Sequence, residues 1–309
     1  MTQHKQHIAV IGAGLMGHGI ALTFARAGHR VSVTDPMADM LASCPTRIGE
    51  SLNLLGASAD EISDTLNRVT LVSDLRDTVS DADVVFEAVP EKLELKQKIF
   101  AEIEACAPKD AILASNTSVI KISKIMAGLS GRHRAMGTHW WNPPHMIPLV
   151  EVVKTKWTDP DLAQQMFDLL DHAGKTPALV EKDVPGFIGN RLQHALWREA
   201  ISLVENGICD AETVDNVVKA SFGRRLAVLG PLENADLVGL ELTQDIHNQV
   251  LFDLETSGAP SPYLQQMRDA GRSGMTAGAG LRNWKAGDLE ETKARVANHL
   301  REIEKILRD

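Results

Sequence analysis

The sequence predicts an α/β protein: a doubly wound parallel sheet with an inserted helical hairpin, followed by an all-α C-terminal domain. Three observations carry this. Short apolar, β-branched runs alternate with helical stretches over residues 8–114, the pattern of parallel strands covered on both faces by helices. The first run meets Gly12-Ala13-Gly14-Leu15-Met16-Gly17 at once. Near Asp183-Val184-Pro185-Gly186 the strand-like runs stop and helical periodicity takes over. The N-terminal part is therefore of Rossmann type, spanning residues 1–185, and a helical substrate and dimerisation domain spans residues 186–309.

The elements follow in order. Ile8-Ala9-Val10-Ile11 is the first strand, and residues 15–27 form a helix ended by Gly28. Residues 30–34 alternate and are β-branched, a second strand closed by Asp35-Pro36. Residues 37–67 read as a helical hairpin broken near Pro45 and near Gly56-Ala57-Ser58. Strands follow at residues 69–72, 83–86 and 111–114, with a helix at 93–105. Residues 147–153 are strand-like. Residues 187–206 form a long helix closed by Gly207, with Ile188, Leu192, Leu196, Ala200 and Leu203 on one face. The tail, residues 289–308, reads as a charged amphipathic helix with a solvated face.

Composition narrows the function classes. The chain has 309 residues, 44% of them hydrophobic, enough for one large or two ordinary cores. A net charge of −9 argues against a nucleic-acid or anionic-membrane partner. Cys44, Cys106 and Cys209 are far apart and odd in number, which suggests neither a disulfide framework nor a zinc site, and a reducing cytoplasm. Residues 1–7 are polar, without the apolar core of a signal peptide, and no run approaches a membrane span.

The glycine motif follows a strand, opens a helix and is answered by an acid eighteen positions after Gly17. In that context Gly12 makes the tight turn, Gly14 lets the backbone approach a pyrophosphate at the helix N-terminus, and Gly17 allows close helix–strand packing. Asp35 would accept from ribose hydroxyls and repel a 2′-phosphate, so the expected cofactor is NAD and not NADP.

Ser115-Asn116-Thr117-Ser118 directly follows the fifth strand, at the carboxyl edge where ligands bind in open parallel sheets. Thr117 or Ser118 could equally cap a helix starting at Val119. His139 would be an ordinary packed histidine on its own. Paired with Glu151 it becomes a candidate base, the carboxylate taking the Nδ1 proton and leaving Nε2 for a substrate hydroxyl. Asn142 and the following prolines would set the turn that aims the ring. Trp140 and Trp141 are most simply core or pocket-wall aromatics, or a cage for a cationic group. His145 has no companions at metal-ligand spacing, so no metal is expected.

These motifs together resemble the L-3-hydroxyacyl-CoA dehydrogenase family over essentially the whole chain. The resemblance rests on the glycine motif, Glu87-Ala88-Val89-Pro90-Glu91, Ser115 to Ser118, His139 to Pro143, Leu149-Val150-Glu151-Val152 and Pro185-Gly186-Phe187-Ile188-Gly189-Asn190-Arg191. It implies oxidation of an L-3-hydroxyacyl compound to the 3-oxo product, with His139 as base and Glu151 as its partner. It further implies that Ser118 and Asn190 orient the substrate. Glu91 and Lys96 would contact the nicotinamide end of NAD, with Gly12, Gly14, Leu15, Met16, Gly17, Asp35, Asn116 and Ser118 as further cofactor contacts. A homodimer through the helical domain, an active site in an interdomain cleft and a place in fatty acid metabolism are implied likewise.

The chain departs from the family pattern in three places. Residues 37–68 hold only Arg47 and Arg68 where relatives meet coenzyme A with lysines, and Gly274-Met275-Thr276-Ala277-Gly278 lacks the lysine often found there. Trp140-Trp141 stands where phenylalanines are common. Asn142-Pro143-Pro144-His145-Met146-Ile147-Pro148 looks like branches that oxidise free small substrates of gulonate, carnitine or pyridine-carboxylate type. Two rivals remain. A β-hydroxyacid dehydrogenase would need a lysine on the long helix, and residues 187–200 contain none. A non-catalytic NAD-binding protein would have no use for the His139–Glu151 pair.

Overall fold

The computed structural model describes residues 5–308, so residues 1–4 of the polar N-terminal stretch lie outside the description. The chain divides into two compact units, one through Arg191 and one from Leu192.

The first unit is built on eight strands: β1 (His7–Ile11), β2 (Arg30–Thr34), β3 (Val69–Leu71), β4 (Val84–Glu87), β5 (Ile112–Ser115), β6 (Ala135–Trp140), β7 (Leu149–Val153) and β8 (Thr176–Val180). Their order in the sheet is β3-β2-β1-β4-β5-β6-β7-β8. Ile8 and Val10 point into one core layer, Ala9 and Ile11 into the other. Both faces are therefore covered, which is why β1 reads as an unbroken apolar run. Eight helices flank or link the strands: α1 (Leu15–Arg26), α2 (Ala38–Ala42), α3 (Cys44–Leu54), α4 (Ala59–Leu66), α5 (Leu75–Val79), α6 (Leu93–Cys106), α7 (Ile122–Ile125) and α8 (Pro160–His172). In the hairpin, α2 stops at Ser43 and Pro45 sits in the first turn of α3, where its missing N–H costs nothing.

Three expectations need correction. The sheet is not wholly parallel, because β6 and β7 run antiparallel. The reason is length: residues 141–148 are too few for a parallel crossover, which needs about a dozen. β8 is not among the strands expected above; it holds Pro177, which the last strand of a sheet tolerates. Finally, the long helix begins at Gly189 and not at residue 187. Gly186 and Phe187 both have left-handed backbones (φ 75° and 51°), which no helix can continue through.

The second unit takes over within α9 (Gly189–Glu205) and continues through α10 (Ala211–Ala220), α11 (Pro231–Val238), α12 (Leu240–Val250), α13 (Pro262–Asp269) and α14 (Asp288–Arg308). It contains no strand among the described residues, only isolated bridges from Ala279 to Gly274 and to Asn283. Its helices α9 to α13 bury no side chain fully, and Trp197, Leu232, Leu237 and Phe252 are exposed. No helix among the described residues is long and apolar enough to cross a membrane. All three cysteines are free.

Candidate active site

The site gathers at the carboxyl edge of the sheet, where the strand order changes direction about β1. Gly12 turns the chain there with φ 101°, and a Cβ on it would lie 2.7 Å from the Ala88 carbonyl oxygen. A Cβ on Gly17 would collide with the Gly12 carbonyl, so the first turn of α1 can sit on β1 only without one. Gly14, the N-cap of α1, faces open space instead: nothing lies within 4 Å of a Cβ built there. That is room for a phosphate against free backbone N–H groups. Leu15 is exposed, and Met16 lines the cleft beyond.

Asp35 closes the other side of the turn. Its Oδ2 accepts from the Ala13 N–H (2.8 Å) and its Oδ1 from the Met37 N–H (2.9 Å). It borders a pocket of about 280 Å³ walled by Pro36, Ala38, Leu41 and Leu71, an apolar slot with one carboxylate. Arg47 of α3 braces the glycine loop from behind, its guanidinium donating to the carbonyls of Ala13 (2.6 Å), Gly14 (3.2 Å) and Met40 (2.9 Å).

A second cleft of about 320 Å³ lies at the carboxyl ends of β4, β5 and β6. Met16, Glu91, Asn116, Ser118, His139 and Asn190 all line it, along with Trp141 and Asn142. His139 and Glu151 are direct cross-strand partners in the β6–β7 ladder. Their side chains therefore leave the sheet on the same face, and His139 Nδ1 donates to Glu151 Oε2 at 2.7 Å. Glu151 Oε1 accepts from the N–H groups of Ile188 (2.8 Å) and Gly189 (3.1 Å). Burial alone would raise the Glu151 pKa. The His139 bond and the two backbone donors outweigh it and hold the carboxyl below its ordinary value. Trp141 and Phe187 each lie 5.4 Å from the imidazole, ring centre to ring centre.

The loop after β5 supplies the rest. Asn116 Oδ1 accepts from the Trp140 N–H (3.0 Å), which leaves its amide N–H groups for the cleft. Asn190 Nδ2 donates to the Ser118 carbonyl (2.9 Å), fixing these two residues together. Glu91 Oε1 receives the Thr117 hydroxyl and the N–H groups of Ser118 (3.0 Å) and Val119 (3.2 Å). Burial raises the Glu91 pKa, but the Thr117 bond, the Lys96 charge and those N–H groups together bring it below the ordinary value. No helix starts at Val119. The helix is α7, and Asp183 takes the N–H groups of Ile122 (3.0 Å) and Ser123 (2.8 Å).

Lys96 stands behind the cleft wall. It is fully buried, and its ammonium donates to Glu87 Oε1 (2.7 Å) and the Val89 carbonyl (3.2 Å), with Glu91 Oε2 at 3.4 Å. It acts on the cleft through Glu91. Glu87 is equally buried, and its Oε2 accepts from the Ser115 hydroxyl at 2.6 Å. In the sequence Glu87 and Phe187 stand only as members of longer motifs, with no role of their own. An acid at the end of a fully buried strand was the available signal for the first, since such a charge requires a partner.

The turn between β6 and β7 packs on α1. Gly19 leaves space for Pro144, and His18 and His145 lie 6.0 Å apart. Lys175 donates to the Pro144 carbonyl and to that of Ile147 (3.1 Å). Burial, then His18, then Lys175 push the His145 pKa from 6.5 down to about 4. A folded-state value below the unfolded one means that the unfolded chain binds the extra proton between those two pH values. Stability should thus be full above about pH 6.5 and fall as the pH drops towards 4. Urea midpoints at the two ends of that window should converge in His145→Asn relative to the parent.

Comparison with known proteins decides the lineage. The 3-hydroxyacyl-CoA dehydrogenase NAD-binding domain matches residues 7–184, and the C-terminal domain of the same family matches residues 186–284. The chain belongs to the 3-hydroxyacyl-CoA dehydrogenase family. The 5-formyl-3-hydroxy-2-methylpyridine 4-carboxylate 5-dehydrogenase of Mesorhizobium japonicum is 36% identical over 96% of both chains. The human mitochondrial hydroxyacyl-coenzyme A dehydrogenase is 34% identical over 91% of both. A crystal structure of a 5-formyl-3-hydroxy-2-methylpyridine 4-carboxylic acid 5-dehydrogenase, described as an NAD+-dependent dismutase, superposes with a TM-score of 0.91 at 33% identity, covering 99% of each chain.

As a member of this family the protein is an NAD-dependent dehydrogenase acting on hydroxyl groups. The residues fit that cofactor: the open space over Gly14 suits a pyrophosphate, and the apolar slot beside Asp35 suits an adenosine. Among the described residues no group of three or more His, Cys, Asp or Glu side chains is placed to hold a metal ion.

Proposed function

We propose that this dehydrogenase oxidises a hydroxyl of a small free substrate, with His139 as general base. The His139–Glu151 pair, whose imidazole lines the cleft, carries this reading. Glu151 fixes the Nδ1 proton, so Nε2 is the nitrogen left to take the hydroxyl proton. The buried carboxylate then stabilises the imidazolium that forms. Ser118, Asn142 and Asn190 supply hydroxyl and amide groups to orient substrate oxygens. When bound, NAD supplies the hydride acceptor; Gly14, Leu15 and Met16 at the start of α1, with Asp35, Glu91 and Asn116, would hold it.

The choice of a free substrate over a coenzyme A thioester rests on charge. Residues 37–68 contain five acids (Asp39, Glu50, Asp60, Glu61 and Asp64) against Arg47 and Arg68. Arg47 is committed to the glycine loop, and Arg68 donates to the Ala25 carbonyl (3.3 Å). A hairpin of that charge repels a ligand carrying a 3′-phosphate and a pyrophosphate. The Mesorhizobium relative, named for a free pyridine carboxylate, supports the same choice. This sets aside the link to fatty acid metabolism. The test is a scan of NADH absorbance with gulonate, carnitine, pyridine-carboxylate alcohols and aldehydes, and acetoacetyl-CoA in the reducing direction. Turnover is expected with a free compound; turnover confined to the thioester would overturn the choice.

We also propose that residues 186–309 form a dimerisation domain, the occupant of its apolar surface being a second copy of the chain. Helices without a fully buried side chain, Leu232 and Leu237 exposed on α11, and Phe252 exposed just after α12 support this. Sedimentation equilibrium reads the outcome directly. Three free cysteines support a cytoplasmic location.

A further inference from the structure

We infer that Glu91 makes the cleft prefer the oxidised, cationic nicotinamide over the reduced, neutral one, with Lys96 and Glu87 as positioning residues that hold this charge in place. The inference rests on the reading that the reactive ring lies in the His139 cleft.

The argument is one of net charge. Among the described residues lining the cleft, Glu91 is the one carboxylate, and no lysine or arginine stands beside it. Behind it, Glu87 and Lys96 are an ion pair at 2.7 Å with side chains 0% and 1% exposed, so their charges cancel locally. Glu151 is spent on His139 and two backbone donors, and is 1% exposed. Two cations of the same region are turned to carbonyls, Arg47 to three of them and Lys175 to those of Pro144 and Ile147. What remains lining the cleft is one carboxylate, its side chain 36% exposed, and the buried Glu151 carboxylate behind His139 has the same sign.

That carboxylate cannot swing away. Three donors from residues 117–119 hold Oε1, and the Lys96 ammonium lies 3.4 Å from Oε2. A nicotinamide ring carries a positive charge when oxidised and loses it on accepting hydride. A fixed anion in a partly desolvated wall attracts the first form and is indifferent to the second. The bound couple is thereby biased towards its oxidised form, and the reduced form leaves more readily.

The test measures equilibrium binding of each form separately to the full-length protein, by tryptophan quenching for NAD+ and by nucleotide fluorescence for NADH. Glu91→Gln is expected to weaken NAD+ binding roughly tenfold while NADH binding changes by less than about twofold. Glu91→Asp keeps the charge, so the ratio of the two affinities should stay near the parent's even if both weaken. Equal loss of both forms in Glu91→Gln would make Glu91 a structural anchor only and overturn the inference. A ratio lost in Glu91→Asp as well would overturn it too, because charge would not be the cause. No change in either affinity would place the ring away from Glu91 and would remove the cleft reading along with the inference.

Discussion

Replacing His139 with alanine is expected to lower kcat by about 10²- to 10⁴-fold, the usual effect of removing a general base, while the affinity for NAD stays near that of the parent. The two effects separate because the imidazole lines the cleft, whereas the glycine turn and Asp35 lie at another part of the sheet edge. Stopped-flow or steady-state turnover, paired with a nucleotide titration, reads both. Turnover near that of the parent would remove His139 from the chemistry. Glu151→Gln should fall in the same direction. A glutamine has one oxygen and one NH₂, and the site presents donors on both sides: His139 Nδ1–H on one, Ile188 and Gly189 N–H on the other. With its oxygen on the two backbone donors, the amide NH₂ faces His139 and favours the tautomer whose proton sits on Nε2, the nitrogen that must be free to act as base.

The second large effect is on stability. Lys96→Met should cost about 3–5 kcal/mol, the range found when one partner of a buried ion pair is removed. Glu87 is 0% exposed and would be left as an uncompensated charge beneath the cleft, still tied to the Ser115 hydroxyl and the Val89 N–H. Urea unfolding gives the value. The double variant Lys96→Met with Glu87→Gln should recover part of it, because a neutral amide still accepts a hydrogen bond without needing a counter-charge. A single variant as stable as the parent would mean that Glu87 becomes protonated or that water reaches the pair.

The dinucleotide half of the molecule was legible because its constraints are local. Gly12 and Gly17 are demanded by backbone contacts within one βα turn, and Asp35 lies at the end of the next strand. The His139–Glu151 pair was legible for a similar reason, since both residues flank a single turn. What escaped depends on tertiary context. Pro177 argues against a strand until the sheet edge is known. The antiparallel step between β6 and β7 was latent in the length of the turn. The resemblance implies Lys96 as a contact of the nicotinamide end, and only the packed α6 shows it folded inward onto Glu87. Phe187 offers no sign of its left-handed backbone beyond the Pro185-Gly186 before it. Yet its ring lies against the imidazole, and the next two N–H groups hold Glu151.

The ladder that sets His139 opposite Glu151 separates two kinds of change. The base and its carboxylate are locked by strand phase, and slipping either strand by one residue would send one partner to the opposite face of the sheet. Trp141 and Asn142 belong to the intervening hairpin bend, which contributes no residue to that phase. Exchanging the side chains at 141 and 142 can therefore give the cleft new molecular tastes, while the ladder that aligns base and carboxylate is kept.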